Sequence, residues 1–319
     1  MIATASAIAI AAIALRAQDS DFARIQRRPP TGEIHVLPVQ GNVYMFSGDG
    51  GNTTVQVERD GVLLVDTQFG DVADKIMAEV RKLNRGPVRF IINTSMDPDH
   101  VGGNAELAKM IPQDPTRPLA IIAHENVLNR LTTPVTGSVT PPIQLGLPTD
   151  EYFTKSKDLH FNGEAIIIYH EPNAHTDGDS VVLFRGSDVV SAGDIFTPDS
   201  YPSIDLEHGG SIDGEIAALN HILELTVPAH TQEGGTYVIP GHGHLCDEAD
   251  VVEYRDMIVI VRDRIQDLIK KGRNLAQVDE AQPTLDYDGR FTRDDGLPDT
   301  SNITRDAFIL AVYKGLGGK

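Results

Sequence analysis

Four polar segments, at residues 95–100, 173–178, 191–194 and 240–244, carry histidines or carboxylates directly after runs with the composition of β-strands. A strand end holds a side chain rigidly, and loops at one edge of a sheet can converge on one point. Imidazole and carboxylate groups delivered in this way suit a borderline cation such as zinc. Each segment alone is also compatible with an ordinary turn or helix cap, but four in succession favour a metal centre.

The elements that would position these segments occur twice in a similar order. Strand runs within residues 33–66 precede a helix at 72–83 and a strand at 88–92, and strand runs within 165–192 precede a helix at 212–225 and a strand at 237–239. Further helices are predicted at 105–110, 125–131, 248–271 and 299–313. This order predicts two packed β-sheets with helices outside. A doubly wound sheet with an N-terminal hairpin set is the alternative that the pattern leaves open.

Length and charge limit the classes of function. The 319 residues, 40% of them hydrophobic, suffice for one large domain or two small ones. Glycine and proline are spread along the chain, so no stretch has the composition of a long linker. The net charge of −19 makes nucleic acid an unfavourable partner. The sequence indicates no particular oligomeric state.

The N-terminus and the cysteine content bear on location. Residues 1–15 are apolar, and we interpret residues 1–17 as an export segment in preference to an alanine-rich helix, although a basic start is missing. The segment is too short to span a bilayer, so stable membrane insertion is not expected. Cys246 is the only cysteine, which excludes an intrachain disulfide. A periplasmic or secreted location is predicted, with a cytoplasmic one as the alternative.

The stretch NTSMDPDHVGGN at residues 93–104, which is predicted to be a polar loop, resembles the NTHxHxDHxGGN motif of the metallo-β-lactamase superfamily. Later elements of that family follow in its order at His175, Asp194 and His242, and the resemblance covers roughly residues 33–248. It implies an α/β fold, an αββα sandwich of two mixed β-sheets flanked by helices. We therefore expect a single domain over residues 30–319 that ends in C-terminal helices.

The resemblance also implies two metal sites in a cleft at one sheet edge. By position, the first site would use Ser95, Asp97 and His175, the second would use Asp99, His100 and His242, and Asp194 would bridge them. Ser95 and Asp97 stand where the family usually has histidines. A serine hydroxyl is a poor zinc ligand, so Ser95 is predicted to be a weak ligand or to support one. Zinc, as one or two ions, is the expected cofactor, and the oxygen-rich ligands also permit Mn²⁺ or Fe²⁺.

The function that this implies is hydrolysis of a lactam, lactone, ester or thioester, including β-lactamase-type activity. A metal-bound hydroxide would attack the carbonyl of a small molecule, and Asp99 would orient or deprotonate the water. The loss of two histidines motivates an alternative, a binding or sensory protein on the same fold. Iron-dependent oxidation is disfavoured because Ser95 removes a required histidine, and nuclease activity is disfavoured by the acidic charge.

Residues 197–205 and 208–211 follow Asp194 and are predicted to line the cleft, although a plain connecting loop explains them equally well. The candidate substrate contacts are Tyr201, Ser211, His208 and His244. Residues 132–150, rich in Pro, Thr and Gly, are predicted to form a lid. Five other histidines are expected to be surface or packing residues without companions: His124, His160, His170, His221 and His230. His35 lies in the opening strand.

Overall fold

The computed structural model describes residues 33–112, 114–133, 146–228, 230, 235–291 and 303–318. The predicted export segment at residues 1–17 lies outside the described residues. So do most of the predicted lid at 132–150 and the start of the helix predicted at 299–313. Within the described ranges, no helix is both long enough and apolar enough to cross a bilayer.

The N-terminal half forms a seven-stranded mixed sheet whose strands lie side by side in chain order. The strands are β1 (His35–Gln40), β2 (Val43–Gly48), β3 (Gly51–Glu58), β4 (Gly61–Val65), β5 (Val88–Ile92), β6 (Ala120–His124) and β7 (Asp150–Tyr152). β1 to β4 pair antiparallel, and β4 to β7 pair in parallel. The crossovers between β4 and β7 carry α1 (Ala73–Leu83), α2 (Pro98–Val101), α3 (Asn104–Met110) and α4 (Glu125–Thr132).

The C-terminal half forms a six-stranded mixed sheet in the order β13-β12-β11-β10-β9-β8. Its strands are β8 (Ser156–Phe161), β9 (Glu164–Glu171), β10 (Asp179–Phe184), β11 (Val189–Gly193), β12 (Tyr237–Pro240) and β13 (Cys246–Asp247). Only β11 and β12 pair in parallel. The crossover between them carries α5 (Ile212–Leu225), as a parallel connection requires.

The remaining helices are α6 (Glu248–Lys270), α7 (Leu275–Glu280), α8 (Leu285–Asp288) and α9 (Arg305–Gly315). Single 3₁₀ turns occur at Gly70–Val72, Leu206–His208 and Gly289–Phe291. α6 begins in a capping box, in which the Asp247 carboxylate accepts hydrogen bonds from the first-turn amides and the Asp250 carboxylate accepts from the amide of Asp247. This box fixes the point where the chain turns from β13 into the long helix.

Three buried clusters show how these elements stack. In the middle cluster, Leu63 and Ile92 of the first sheet face Ile168 and Phe184 of the second. A second cluster packs the outer face of the first sheet on α1, and a third packs the outer face of the second sheet on α5, α6 and α9. This layering confirms the αββα sandwich and excludes the doubly wound sheet.

Some of the strands and helices were not predicted from the sequence. β7, β8 and β13 were not predicted, and two of them have only two or three residues, too few to show a period. Residues 98–101 were assigned to a polar loop, but they form the helical turn α2. Proline is favoured at the first position of a helix, where Pro98 lies, and this turn directs Asp99 and His100 inward.

Candidate metal centre

The four polar segments lie at the ends of β5, β9, β11 and β12 in turn; the first two follow their strands, and the last two begin within theirs. The fold brings six of their side chains into two groups, in each of which the potential ligand atoms lie within 4.8 Å of one another. One group, called the first site, contains Asp97, His175 and Asp194; the other, called the second site, contains Asp99, His100 and His242. Asp194 also lies 3.1 Å from Nε2 of His100 and 3.4 Å from Nε2 of His242, between the two sites.

The ring of His100 is held from behind by Asp66. Nδ1 of His100 lies 2.7 Å from Oδ2 of Asp66, which also accepts from the Thr94 hydroxyl, while Oδ1 accepts from the Thr94 amide. Because the carboxylate only accepts, Nδ1 carries the hydrogen, and Nε2 presents a lone pair to the cleft unless the ring is protonated. A histidine that donates to a carboxylate behind it is the usual arrangement of a metal ligand.

His175 is oriented in the same way by a backbone carbonyl. Its Nδ1 donates to the Ser203 carbonyl oxygen at 2.9 Å, and its Nε2 faces Oδ2 of Asp97 at 2.8 Å. The Ser95 hydroxyl donates to the same Asp97 oxygen at 3.3 Å and accepts from the Asp97 amide at 3.2 Å. Ser95 thus positions Asp97 from one side, and its own hydroxyl is already used.

His242 completes the second site, with Nε2 3.3 Å from Oδ2 of Asp99. Its loop is clamped by Asn52 of β3, whose backbone amide donates to the Gly241 carbonyl and whose side-chain amide donates to the carbonyls of Pro240 and Gly243. The backbones approach so closely that a Cβ at Gly51 would lie 2.9 Å from Cε1 of His242. The two sheets are therefore joined at the cleft.

The cleft has a strong excess of negative charge. Asp66, Asp97, Asp99 and Asp194 are mostly buried, and among the described residues no Lys or Arg pairs with any of them. In the part of the chain that the structure describes, three imidazoles face these four carboxylates. Buried carboxylates without such partners call for cations or protons.

The pKa shifts follow from this charge imbalance. Burial opposes protonation of His100, but the charges of Asp194 and Asp66 outweigh it and hold the pKa well above the usual value. The pKa of His175 is likewise held well above its usual value, because its hydrogen bond to Asp97 and the charge of that carboxylate outweigh the effect of burial. The pKa of His242 is also raised despite burial, by the charge of Asp194 and by the hydrogen bond and charge of Asp99. Burial opposes ionisation of Asp194, yet the charges of His100 and His242 keep its pKa far below the usual range.

The donor set fits a divalent cation. Nε2 of His100 and Oδ1 of Asp194 are both buried and neither has a hydrogen-bond partner, although they lie 3.1 Å apart. Two lone pairs directed at one space require either a proton or a metal ion between them, and a bound metal ion takes the place of the proton. The second site offers two imidazoles and one carboxylate and the first offers one imidazole and one carboxylate, before the Asp194 carboxylate is added. Imidazole-rich ligation suits zinc, and oxygen-rich ligation suits harder ions.

The predicted substrate contacts have other partners. Tyr201 is 2% exposed, stacks on Phe308 and donates its hydroxyl to Asp288, so this geometry gives no support to a role in the cleft. Tyr201 is a packing residue between α8 and α9. The Ser211 hydroxyl accepts from the Gly214 amide and donates to the Asn173 carbonyl, which makes it the N-cap of α5.

The two remaining candidates are histidines near the cleft. His208 pairs with Asp205 through Nδ1 at 2.5 Å, and its carbonyl accepts from the amide of Asp177 in the His175 loop. His244 is 60% exposed and lies with Nδ1 3.1 Å from Asp199, two residues past His242. For both histidines, contact with the substrate stays a prediction.

Sequence reasoning missed three features around the centre. Asp66 follows an apolar strand, as the four ligand segments do, and that shared position was the available signal. Glu215 of α5 is fully buried, neither of its carboxyl oxygens has a hydrogen-bond partner, and burial raises its pKa well above the usual value. His124 and His170, expected to lack companions, stack with ring centroids 3.6 Å apart, and burial lowers the pKa of His124 to about 4.

Comparison with known proteins agrees with this architecture. The metallo-β-lactamase from Pontibacter korlensis superposes with a TM-score of 0.55 at 13% identity, covering 71% of this chain and 99% of that one. The DIM-1 metallo-β-lactamase gives 0.53 at 16% identity, covering 71% and 97%. The inverting sec-alkylsulfatase Pisa1 from Pseudomonas sp. gives 0.61 at 14% identity, covering 88% of this chain, which spans about half (50%) of that one. At these identities the likeness concerns the fold.

Comparison with curated protein sequences gives no significant match. The family model described as the metallo-beta-lactamase superfamily matches residues 46–242, which is more than half of the chain and includes every residue of the two sites. The two mixed sheets and the flanking helices agree with that match. The chain belongs to the metallo-β-lactamase superfamily.

Proposed function

We propose that this protein is a metal-dependent hydrolase that cleaves a lactam, lactone, ester or thioester of low molecular weight. The observation that carries the proposal is the orientation of His100 and His175. Each ring has its Nδ1 engaged from behind and its Nε2 directed at a carboxylate in a cation-poor cleft. The superfamily, most of whose members are metallo-hydrolases, supports the same reaction class.

A divalent ion held by His100, His242, Asp99 and Asp194 would acidify a water molecule and polarise the substrate carbonyl. Burial opposes ionisation of Asp99, but its hydrogen bond with His242 and the charges of His100 and His242 lower its pKa. Asp99 is therefore ionised at neutral pH and able to orient the attacking water and accept its proton. A carbon–oxygen bond then forms, the bond to the leaving heteroatom breaks, and the leaving group takes the proton.

The two sites are expected to differ in affinity. His100, His242 and Asp99 supply the second site with ligands of the kind that zinc favours, and Asp194 adds a fourth. In the first site, Asp97 takes the place of an imidazole, and the Ser95 hydroxyl donates a hydrogen bond to Asp97. We propose zinc in the second site and weaker or harder-ion occupancy, such as Mn²⁺ or Fe²⁺, in the first.

Metal content and turnover test this proposal together. Protein purified without chelator is analysed for bound metal and then assayed with chromogenic lactams, lactones, esters and thioesters in the presence of Zn²⁺, Mn²⁺ or Fe²⁺. We expect at least one bound ion and turnover of one substrate class, with His242→Ala abolishing the turnover. A protein that neither contains nor takes up metal would contradict the proposal.

The alternative is a binding or sensory protein on the same fold, which the loss of the two usual histidines motivates. Metal binding without turnover of any substrate class would favour it. A secondary alkyl sulfate belongs in the panel as well, because the alkylsulfatase covers a larger share of this chain than the β-lactamases do. Turnover of that ester alone would move the substrate class from carbonyl compounds to sulfate esters.

A further inference from the structure

A second cluster of potential metal ligands lies beyond the His242 loop. It consists of His244, Cys246 and Asp250, called the rim site here, whose ligand atoms lie within 4.8 Å of one another. His244 precedes β13, Cys246 begins it, and Asp250 lies in the first turn of α6. No residue of the rim site belongs to the first or second site of the metal centre.

The chemistry of the three side chains differs from that of the metal centre. A thiol joins an imidazole and a carboxylate, and this combination favours zinc and other thiophilic ions over Mg²⁺ or Ca²⁺. Cys246 is 2% exposed, whereas the His244 side chain is 60% exposed. The site is thus closed on the cysteine side and open on the histidine side, where the ring can turn about its own bonds to meet an ion.

The surroundings of the rim site favour a cation. Asp199 lies 3.1 Å and 3.3 Å from Nδ1 of His244 through its two carboxylate oxygens. Burial and the negative charges of Asp250, Asp199 and Asp247 raise the pKa of the Cys246 thiol. The same negative potential that retains the thiol proton attracts a dication, which can displace that proton.

The local backbone is already arranged around the cluster. The Asp250 carboxylate accepts from the Asp247 amide through Oδ2 in the capping box of α6, which fixes its direction beside Cys246. A carboxylate has two oxygens, so the capping bond and metal ligation can coexist. The Cys246 thiol donates to the His244 carbonyl, which ties the two ligand residues together.

We propose that His244, Cys246 and Asp250 bind Zn²⁺ or another thiophilic divalent ion at a site separate from the hydrolytic centre. On binding, a metal–sulfur bond forms, the sulfur–hydrogen bond breaks, and the proton passes to solvent. The ion would bridge the loop that carries His242 to the first turn of α6. This inference does not depend on the reaction catalysed at the centre.

Cadmium titration of the metal-free, full-length protein tests the proposal. Thiolate-to-cadmium charge transfer absorbs in the ultraviolet, and since Cys246 is the only cysteine in the chain, any such band reports this residue alone. The metal centre also takes up cadmium, so we expect the band at saturation to have the intensity of one cadmium–thiolate bond per chain, whatever the total number of bound ions. In Cys246→Ser the band disappears, and total bound cadmium falls by one ion while the histidine and carboxylate sites still fill.

Two further variants test whether cadmium binds to the whole rim site or to the Cys246 thiol alone. His244→Ala changes an exposed side chain and should weaken the cadmium band titration by at least about tenfold, since one ligand is lost. His208→Ala is the matched control, because His208 also pairs with an aspartate but is not in the cluster, and it should leave the titration unchanged. Absence of the band in the unaltered protein, or an unchanged titration in His244→Ala, would overturn the proposal.

Discussion

Nε2 of His175 lies 2.8 Å from Oδ2 of Asp97, although Nδ1 of the same ring already donates to the Ser203 carbonyl. A neutral imidazole has one N–H, so two lone pairs would face each other unless a proton or a metal ion lies between them. In the metal-free protein a proton fills this role, which agrees with the raised pKa of His175. Without metal the contact is therefore an ion pair, and with a metal ion the same two atoms can act as ligands.

Restoring two imidazoles should strengthen the first site. In the double variant Ser95→His, Asp97→His, we expect a second zinc ion to bind more tightly. Two nitrogen ligands then replace the Asp97 carboxylate and the Ser95 hydroxyl, which is hydrogen-bonded to it. Zinc stoichiometry and affinity by calorimetry measure this. Ser95→Ala serves as the control and should leave the stoichiometry as it is. Unchanged zinc binding in a folded double variant would contradict the assignment of the first site.

Removing the carboxylate behind His100 should weaken the second site without touching a ligand. In Asp66→Asn an amide NH2 group replaces one of the two carboxylate oxygens, and the remaining oxygen is needed by the Thr94 amide, so His100 Nδ1 faces a donor. We expect zinc affinity to fall by about 10–100-fold. Competition with a chromogenic chelator measures the change, and circular dichroism checks the fold. Equal affinity in the variant would mean that Asp66 does not orient the ligand.

The stability of the metal-free protein should fall as the pH rises above neutrality. The folded-state pKa values of His100, His175 and His242 all lie above the usual 6.5. A raised pKa stabilises the fold fully below the unfolded-state value and progressively less as pH rises through the folded-state value. Zinc binding requires the deprotonated rings, so zinc affinity should rise over the same interval.

Thermal unfolding of metal-free and zinc-loaded protein, followed from about pH 6 to pH 9, tests this dependence. We expect the melting temperature of the metal-free form to decline, while the stabilisation produced by zinc grows. A metal-free melting temperature that increases across this interval would show that the three histidines are not held protonated by the carboxylates.

A methyl group at Gly241 should disturb the centre through the backbone. A Cβ there would collide with Oδ1 of Asp194 and lie 2.7 Å from the carbonyl carbon of Gly193. We expect Gly241→Ala to reduce zinc affinity and to lower the free energy of unfolding by about 1–3 kcal/mol. Gly289→Ala is the control, because nothing lies within 4 Å of its added Cβ. Zinc affinity is measured by chelator competition, and the free energy of unfolding by denaturant titration. If Gly241→Ala changed both quantities no more than Gly289→Ala does, the prediction would be wrong.

The sequence alone determined the fold class and where the polar segments begin. Apolar runs such as those of β4, β5 and β11 have strand composition, and an ordered series of His and Asp residues after such runs is a local property that can be read without coordinates. The family resemblance at residues 93–104 survived the loss of two histidines because its flanks are intact. The assignment of residues 98–101 to a loop was nevertheless wrong.

Tertiary structure alone decided which side chains meet and how each ring is oriented. Asp66 supports His100 and Ser203 supports His175, pairs that are 34 and 28 residues apart in the chain. Tyr201, predicted for the cleft, packs on α9 instead. Such contacts depend on how the sheets and loops pack, because a side chain's distant partners leave no periodic signal in the residues beside it.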